Sequence, residues 1–488
     1  MLSAIVAVAT RFRLTQPNQP SLKGRLLTSV FLDTTDNIPS SSSLSSRLPM
    51  QSEYAQRREQ FMAKIGKGTA VFRSAPMAVM HNDVEYNFRQ DSDFFYLTGF
   101  NEPSAVAVLA PHHQDHRFIL FVQPKDLEKE TWTGYRVGVD AAKEQFAADA
   151  VYSIDELSEK LPQYLEKADR IYYHLGRDKA FNETILKHWQ RLLAIYPKKG
   201  IGPTAIEDPA PLLHPMRQIK STIELERMRK AADIAAEAHN RARAFAQPGR
   251  FEYEVQAEIE HTFRLRGAMG PAYPSIVASG ANACVLHYTE NTRQMQDGEL
   301  LLIDAGCAYD YYNSDITRTF PVGGAFTSEQ QAIYEIVLEA QLQAIAHVHP
   351  GNPYNQVHDT AVRVIVQGLL DLGLLCGDMD EIIKDEKYKP FYMHRTGHWL
   401  GLDVHDVGVY QHGETPHTLE PGQVLTVEPG IYISPYIKPA EGQPEIDPRW
   451  HGIGVRIEDD VLVTSTGHEI LTAAVPKRVD EIQRSLRS

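Results

Sequence analysis

Residues 300–322 read LLLIDAGCAYDYYNSDITRTFPV, two apolar stretches that each carry an aspartate at one end. Leu300 to Ile303 is an unbroken apolar run of the kind buried in a sheet, yet it ends in a carboxylate, Asp304. Asp315 begins a second run, through Phe320, whose side chains alternate with the two-residue period of a strand. Gly306 to Asn313 has the length of a hairpin or a bent crossover, which would bring both aspartates to one face.

The same pattern recurs downstream. Val424 to Val427 leads into Glu428, and the run Gly454 to Val463 carries Glu458 two residues after Arg456, on the same face. A single strand-end acid is ordinarily a salt-bridging residue. Four on apolar strands are different, because burying an isolated ionised acid costs several kcal/mol. A histidine cluster lies beside them: His394, His398 and His405 fall within residues 394–406, and His287 precedes the first acidic strand. Gly397 and Gly401 around His398 imply a close backbone approach. Two Asp, two Glu and one imidazole form a hard, oxygen-rich donor set. It suits a pair of Mn²⁺ ions, with Co²⁺, Zn²⁺ or Fe²⁺ as substitutes. Four carboxylates balance two divalent ions, and metals ~3.5–4 Å apart would acidify a bridging water.

Around this centre the second half of the chain shows helix signals. Ser221 and Glu224 form a capping box ahead of an apolar face that Pro248 and Gly249 terminate. Further helices are expected from Tyr253 to Arg266, from the Thr327/Gln330 cap to Pro350–Gly351, and from Asn355 to Leu372. With strands at 300–305, 316–322, 424–428 and 454–463, this predicts an α+β domain over 218–488, a mostly antiparallel sheet backed by long helices. Residues 50–217 read as a smaller α/β domain, with a helix at Gln56–Ile65 and buried strands at Ala70–Phe72, Ala105–Ala110 and Phe118–Val122. Pro209, Pro211 and Pro215 mark the linker between the two.

Residues 1–49 are Ser/Thr-rich and carry Arg11, Arg13, Lys23, Arg25 and Arg47 against Asp33 and Asp36. They form a tail too poor in apolar surface to order itself. Either it is an organelle transit peptide or translation starts at Met50. The 63 acidic and 49 basic residues give a formal charge of −14, which disfavours nucleic acid. No apolar run approaches the ~18 residues of a membrane span. Cys284, Cys307 and Cys376 are isolated and odd in number, as small buried residues in a reducing compartment would be. The expected location is the cytoplasm, or an organelle if the tail is a transit peptide.

From Met50 onward the chain resembles the metallopeptidases of the "pita-bread" fold, and most closely the aminopeptidase P (Xaa-Pro aminopeptidase) family. The resemblance rests on HYTEN at 287–291, IDAG at 303–306, SDITRTFPV at 314–322, HWLGLDVHDVG at 398–408, VEPGIY at 427–432 and GVRIEDD at 454–460. It extends to YNFRQDSDFFYLTGFNEP at 86–103. It implies a pita-bread catalytic domain and hydrolysis of the N-terminal residue from peptides with proline second, by attack of a dimetal-bridging hydroxide. It implies Asp304, Asp315, His398, Glu428 and Glu458 as metal ligands, with Glu428 also shuttling the proton to the leaving proline nitrogen. His405 and His287 would hydrogen-bond substrate and developing oxyanion. His394, Tyr432 and Arg456 would shape the proline pocket. Trp132 resembles a residue that a neighbouring subunit lends to the site, which fits a homodimer or homotetramer. Two rivals stand beside this reading: a prolidase that cuts only Xaa-Pro dipeptides, and a metal-free peptide-binding module on the same fold.

Overall fold

The structure, a computed structural model, describes residues 42–485. The reading of residues 1–49 as a tail falls mostly on residues 1–41, outside the described residues. A helix spans Ser42–Ile65, beginning earlier than the Gln56 expected from the sequence.

The apolar runs of the first half become one six-stranded sheet. Its order is Ala150–Ser153, Phe118–Val122, Val106–Leu109, Thr69–Arg73, Arg170–Tyr172 and Ala205–Glu207. The three middle strands pair antiparallel, with Val71 opposite Val108 and Val108 opposite Ile119, and the outer pairings are parallel. Continuous apolar runs belong in a sheet covered on both faces. Alternate residues accordingly divide between two cores. Val71, Val108, Ile119 and Phe121 pack with Leu161, Tyr164 and Ile185, from helices Leu157–Leu165 and Lys179–Lys199. Phe72, Ala107, Leu109 and Leu120 share a core with Tyr311, Tyr312, Leu400 and Leu402. That second core reaches the segments that carry the acids and histidines.

The expected linker is a helix, Ala210–Gln218. Pro209 is its N-cap and Pro211 lies in the first turn, where no N–H is required, so two prolines start a helix rather than prevent one. Pro215 sits in its interior, at the loss of one backbone bond. The long helix Thr222–Phe245 follows from the Ser221/Glu224 capping box, and Ser328–Ala346 from the Thr327/Gln330 box. The latter ends short of Pro350. Glu252–Leu265 and Asn355–Asp371 complete the helical backing.

The strands of this half pair antiparallel in several short sheets. Leu300–Asp304 lies between Ile276–Ser279 and Thr317–Pro321. The expected strand Gly454–Val463 is in fact two, Ile453–Arg456 and Asp459–Val463, in different sheets. The first pairs with Gly430–Ile433 and the second with Val424–Val427. The ribbon therefore breaks on both strands at one level, at Glu428–Pro429 and Ile457–Glu458. Pro429 has no N–H for the ladder. The Glu458 N–H bonds the carbonyl of Thr317 instead, at 3.1 Å. Of the cysteines only Cys307 is fully buried; Cys284 is half-buried and Cys376 exposed, since a thiol is small enough for any of these positions.

Candidate metal centre

Each of the four acids stands where regular strand gives way. Asp304 is the last residue of its strand, opposite Thr317. The link from Asp304 to Asp315 is a hairpin that pairs Cys307–Tyr309 with Tyr312–Asn313, turning at Asp310 and Tyr311. Both turn residues have positive φ, 45° and 74°, as a two-residue hairpin turn demands. Tyr311 tolerates this because its ring stacks on Phe95, 4.0 Å away, and its hydroxyl accepts from Gln90 N at 3.0 Å. His398 is held against Val424–Val427: Thr426 N donates to His398 O at 2.9 Å, and His398 N to Thr426 Oγ1 at 3.1 Å. The close approaches at Gly397 and Gly401 are to the protein itself. A Cβ at Gly397 would meet Thr426 O at 1.9 Å, and one at Gly401 would meet Asp406 Oδ2 at 2.2 Å.

Asp315, His398 and Glu458 each place a ligand atom within 4.8 Å of the others'. Glu428 Oε1 is 3.7 Å from His398 Nε2, which is 3.5 Å from Asp315 Oδ2. Asp304 joins through Tyr273, whose hydroxyl lies 2.6 Å from Asp304 Oδ1 and also contacts Asp315 Oδ1. A phenol has one hydrogen and cannot donate to two carboxylates. His398 Nδ1 donates to Trp399 O at 3.0 Å, which leaves Nε2 facing the acids as a ligand nitrogen should. Thr317 Oγ1 donates to Glu458 Oε2 at 2.6 Å and accepts from Arg456 Nε at 3.2 Å.

The electrostatics show a deficit of positive charge. Burial pushes the Glu458 carboxyl well above its ordinary value, and Asp315, Glu428 and Asp304 push it further. Burial raises Glu428 to about 7 even though His398 and Arg456 oppose it. Asp304 is raised by burial against the pull of Arg456, 2.6 Å away. His398 resists burial through its contact with Asp315 and the charge of Glu428, and rises to about 9. Acids that cannot all ionise and an imidazole that holds its proton form the donor set of a cation site. The residues fit divalent metal.

Beside them an ordered relay runs Arg456 Nη1 to Tyr432 Oη at 3.0 Å, then Tyr432 to His394 Nε2 at 2.8 Å, then His394 Nδ1 to Arg395 O at 2.8 Å. Since the Arg395 carbonyl only accepts, His394 carries its proton on Nδ1 and is neutral. Burial and the charge of Arg456 hold its pKa down to about 3.

One cleft of about 1460 Å³ is lined by Asp304, Asp315, His398, Glu428 and Glu458 together with His287, His394, His405 and Arg456. Tyr432 stands behind it, 1% exposed. Trp132 is not brought to this cleft; it is 85% exposed at the end of the helix Leu127–Thr133. Sequence reasoning missed Tyr273 and Thr317. Tyr273 lies in an irregular Gly-Pro-Ala-Tyr-Pro stretch with no period to read. Thr317 could have been found by its alternation with Asp315 on one strand face.

The profile of metallopeptidase family M24 matches residues 226–465, and that of the aminopeptidase P N-terminal domain matches residues 54–172. The chain is 44% identical to Xaa-Pro aminopeptidase of Escherichia coli (strain K12), over 88% of this chain and 96% of that protein. Among solved structures, Pseudomonas aeruginosa aminopeptidase PepP superposes with a TM-score of 0.85 at 48% identity, over 90% of this chain and 98% of that one. Zn-substituted E. coli aminopeptidase P in complex with product gives 0.84 at 42% identity, over 90% and 98%.

Proposed function

This chain belongs to metallopeptidase family M24, and we propose that it is a metal-dependent Xaa-Pro aminopeptidase, releasing the first residue of peptides that carry proline second. The observation that carries this is the convergence of Asp304, Asp315, His398, Glu428 and Glu458 on one cleft. These five are the proposed ligands of two divalent ions, Mn²⁺ by the hardness of the donors. When bound, such ions supply Lewis acidity that makes water nucleophilic at neutral pH.

The chain's own residues do the rest. The amide nitrogen of proline carries no hydrogen and must gain one to leave. Glu428, whose carboxylate lines the cleft beside His398, is suited to hold that proton and release it. His405 and His287 line the cleft and are placed to donate to charge developing on the scissile carbonyl. The relay from Arg456 through Tyr432 fixes the His394 ring, and these three shape the wall against which the proline ring would rest. Trp132, exposed on its own subunit, is suited to complete the site of a neighbour in a homodimer or homotetramer. In this reading residues 218–488 form the catalytic domain and carry all these roles but that of Trp132, which lies in an N-terminal domain of residues 50–217. Isolated cysteines favour a reducing compartment, and no helix among the described residues is long and apolar enough to cross a membrane.

The dipeptidase reading is disfavoured by likeness, since the 44% identical relative from Escherichia coli, matched over 96% of its length, is a Xaa-Pro aminopeptidase. Rates on Gly-Pro and on a Xaa-Pro-Xaa tripeptide, with Mn²⁺ and after chelation, test the proposal. Cleavage of the tripeptide that is lost on chelation is expected; cleavage of the dipeptide alone would make it a prolidase.

A further inference from the structure

The stretch Tyr86–Pro103 takes no part in the chemistry above, yet it packs behind the loop that presents His405. Among the described residues the His405 imidazole has no hydrogen-bond partner; its ring contact is edge-on to His398, centroids 4.4 Å apart. Its position is therefore set by its backbone, and so by its neighbours Asp403 and Asp406. Both are tethered to one guanidinium. Arg217, 3% exposed, donates from Nη2 to Asp406 Oδ1 at 2.6 Å and to Asp403 Oδ2 at 2.9 Å, and from Nη1 to Asp93 Oδ1 at 2.8 Å. Ser92 Oγ donates to Asp403 Oδ1 at 2.7 Å, and Arg89 Nη2 lies 3.1 Å from the same oxygen. On the other side Asn313, two residues before Asp315, donates to the carbonyls of Gly401 and Leu402 at 3.0 and 2.9 Å. A second cavity of about 490 Å³ lies behind the loop, and Arg89 and Asp403 line it as well as the catalytic cleft. The wall that carries His405 is thus one layer of side chains thick.

We infer that Arg217 is a positioning residue for the reaction: it clamps Asp403 and Asp406 to Asp93 of the N-terminal region and so fixes the loop that offers His405 to substrate. This rests on the reading of His405 as a substrate-side donor. A misplacement of about 1 Å in such a group costs roughly 10²-fold in rate. The test is a double-mutant cycle on the metal-loaded full chain, with a Xaa-Pro-Xaa tripeptide as substrate and metal content measured for each variant. Arg217→Met is expected to lower kcat/KM by about 10²-fold, with metal content unchanged. Arg217→Lys, which keeps the charge but not the fork, should fall in between. In a His405→Ala background the same Arg217 substitution should change almost nothing, because the group it positions is gone. If Arg217→Met does not fold, the Asp403→Asn and Ser92→Ala pair loosens only the more exposed arm and should show a smaller loss with the same dependence on His405. Equal losses with and without His405, or a loss of metal, would overturn the inference. An inactive wild type would instead remove the function on which it rests.

Discussion

Behind the His405 loop, Asp93, Asp403 and Asp406 meet Arg217 and Lys220, with His174 and His214 on Asp93. In the cleft, Asp304, Asp315, Glu428 and Glu458 have Arg456 and His398 as their near cationic partners. Both clusters gather buried acids around Arg and His, but Asp93 and Asp406 in the first are shifted oppositely to Asp304, Glu428 and Glu458 in the second. Burial opposes ionisation of Asp93 and Asp406. At Asp93 the bonds from His174 and His214 and the charge of Arg217 outweigh it, and at Asp406 Lys220 and Arg217 do, so both carboxyls lie below their usual range. In the cleft burial prevails, and Asp304, Glu428 and Glu458 are raised. A buried acid is a structural tie when its counter-charge comes from the chain, and a ligand in waiting when it does not.

The contrast breaks most completely if a ligand can be removed without consequence. Asp315→Ala should abolish metal retention, read by elemental analysis, and reduce turnover to that of the chelated wild type. Next in size, Glu428→Gln should lower kcat by about 10²–10⁴-fold, the usual contribution of a general acid–base group, with KM little moved. A change confined to KM would take the proton-transfer role from Glu428.

Smaller, and aimed at the paired cluster, is Lys220→Met. It takes a partner from buried Asp406 and should destabilise the chain by about 3 kcal/mol in chemical denaturation. Glu458→Gln in chelated protein should do the reverse and raise the unfolding midpoint, because it replaces an acid whose ionisation burial and its acidic neighbours oppose with a group that is neutral in both states. If both variants destabilise alike, the two clusters are not different in kind.

The mildest effect is one of pH. Glu428 moves from an ordinary 4.5 to about 7 and His398 from 6.5 to about 9, so the folded metal-free chain binds more protons than the unfolded chain across those windows. Stability due to these groups is fully present below the ordinary values and is lost as pH rises through the shifted ones. Neutral His394, held at about 3, works the other way up to its ordinary 6.5, so melting temperatures of the chelated protein should decline from about pH 6.5 to 9. The gain on adding Mn²⁺ should grow over the same range, as the ligands shed competing protons. A chelated protein that becomes more stable toward pH 9 would contradict the assignment.

Much of this was legible in the chain itself. Capping boxes at Ser221 and Thr327 set helix starts through contacts three residues apart, and the apolar runs at 70, 106, 118, 300 and 424 are strands because burial on both faces leaves a continuous signature. Acids closing such runs announce themselves, because an ionised group at the end of a buried strand requires a partner. These are local regularities, with the physics held within a few neighbours, and sequence alone determines them. What only the tertiary structure decided depends on segments far apart in the chain. The break at Ile457–Glu458 exists because the Thr317 carbonyl takes the Glu458 amide. Tyr273 joins Asp304 to Asp315 from a loop with no pattern of its own. Three prolines that read as a linker cap or lie within a helix that carries Arg217 in its last turn, and the place of Arg217 is set by acids on two distant stretches. Periodicity records which side of an element is buried; it carries no record of which charge waits on the other side of the fold.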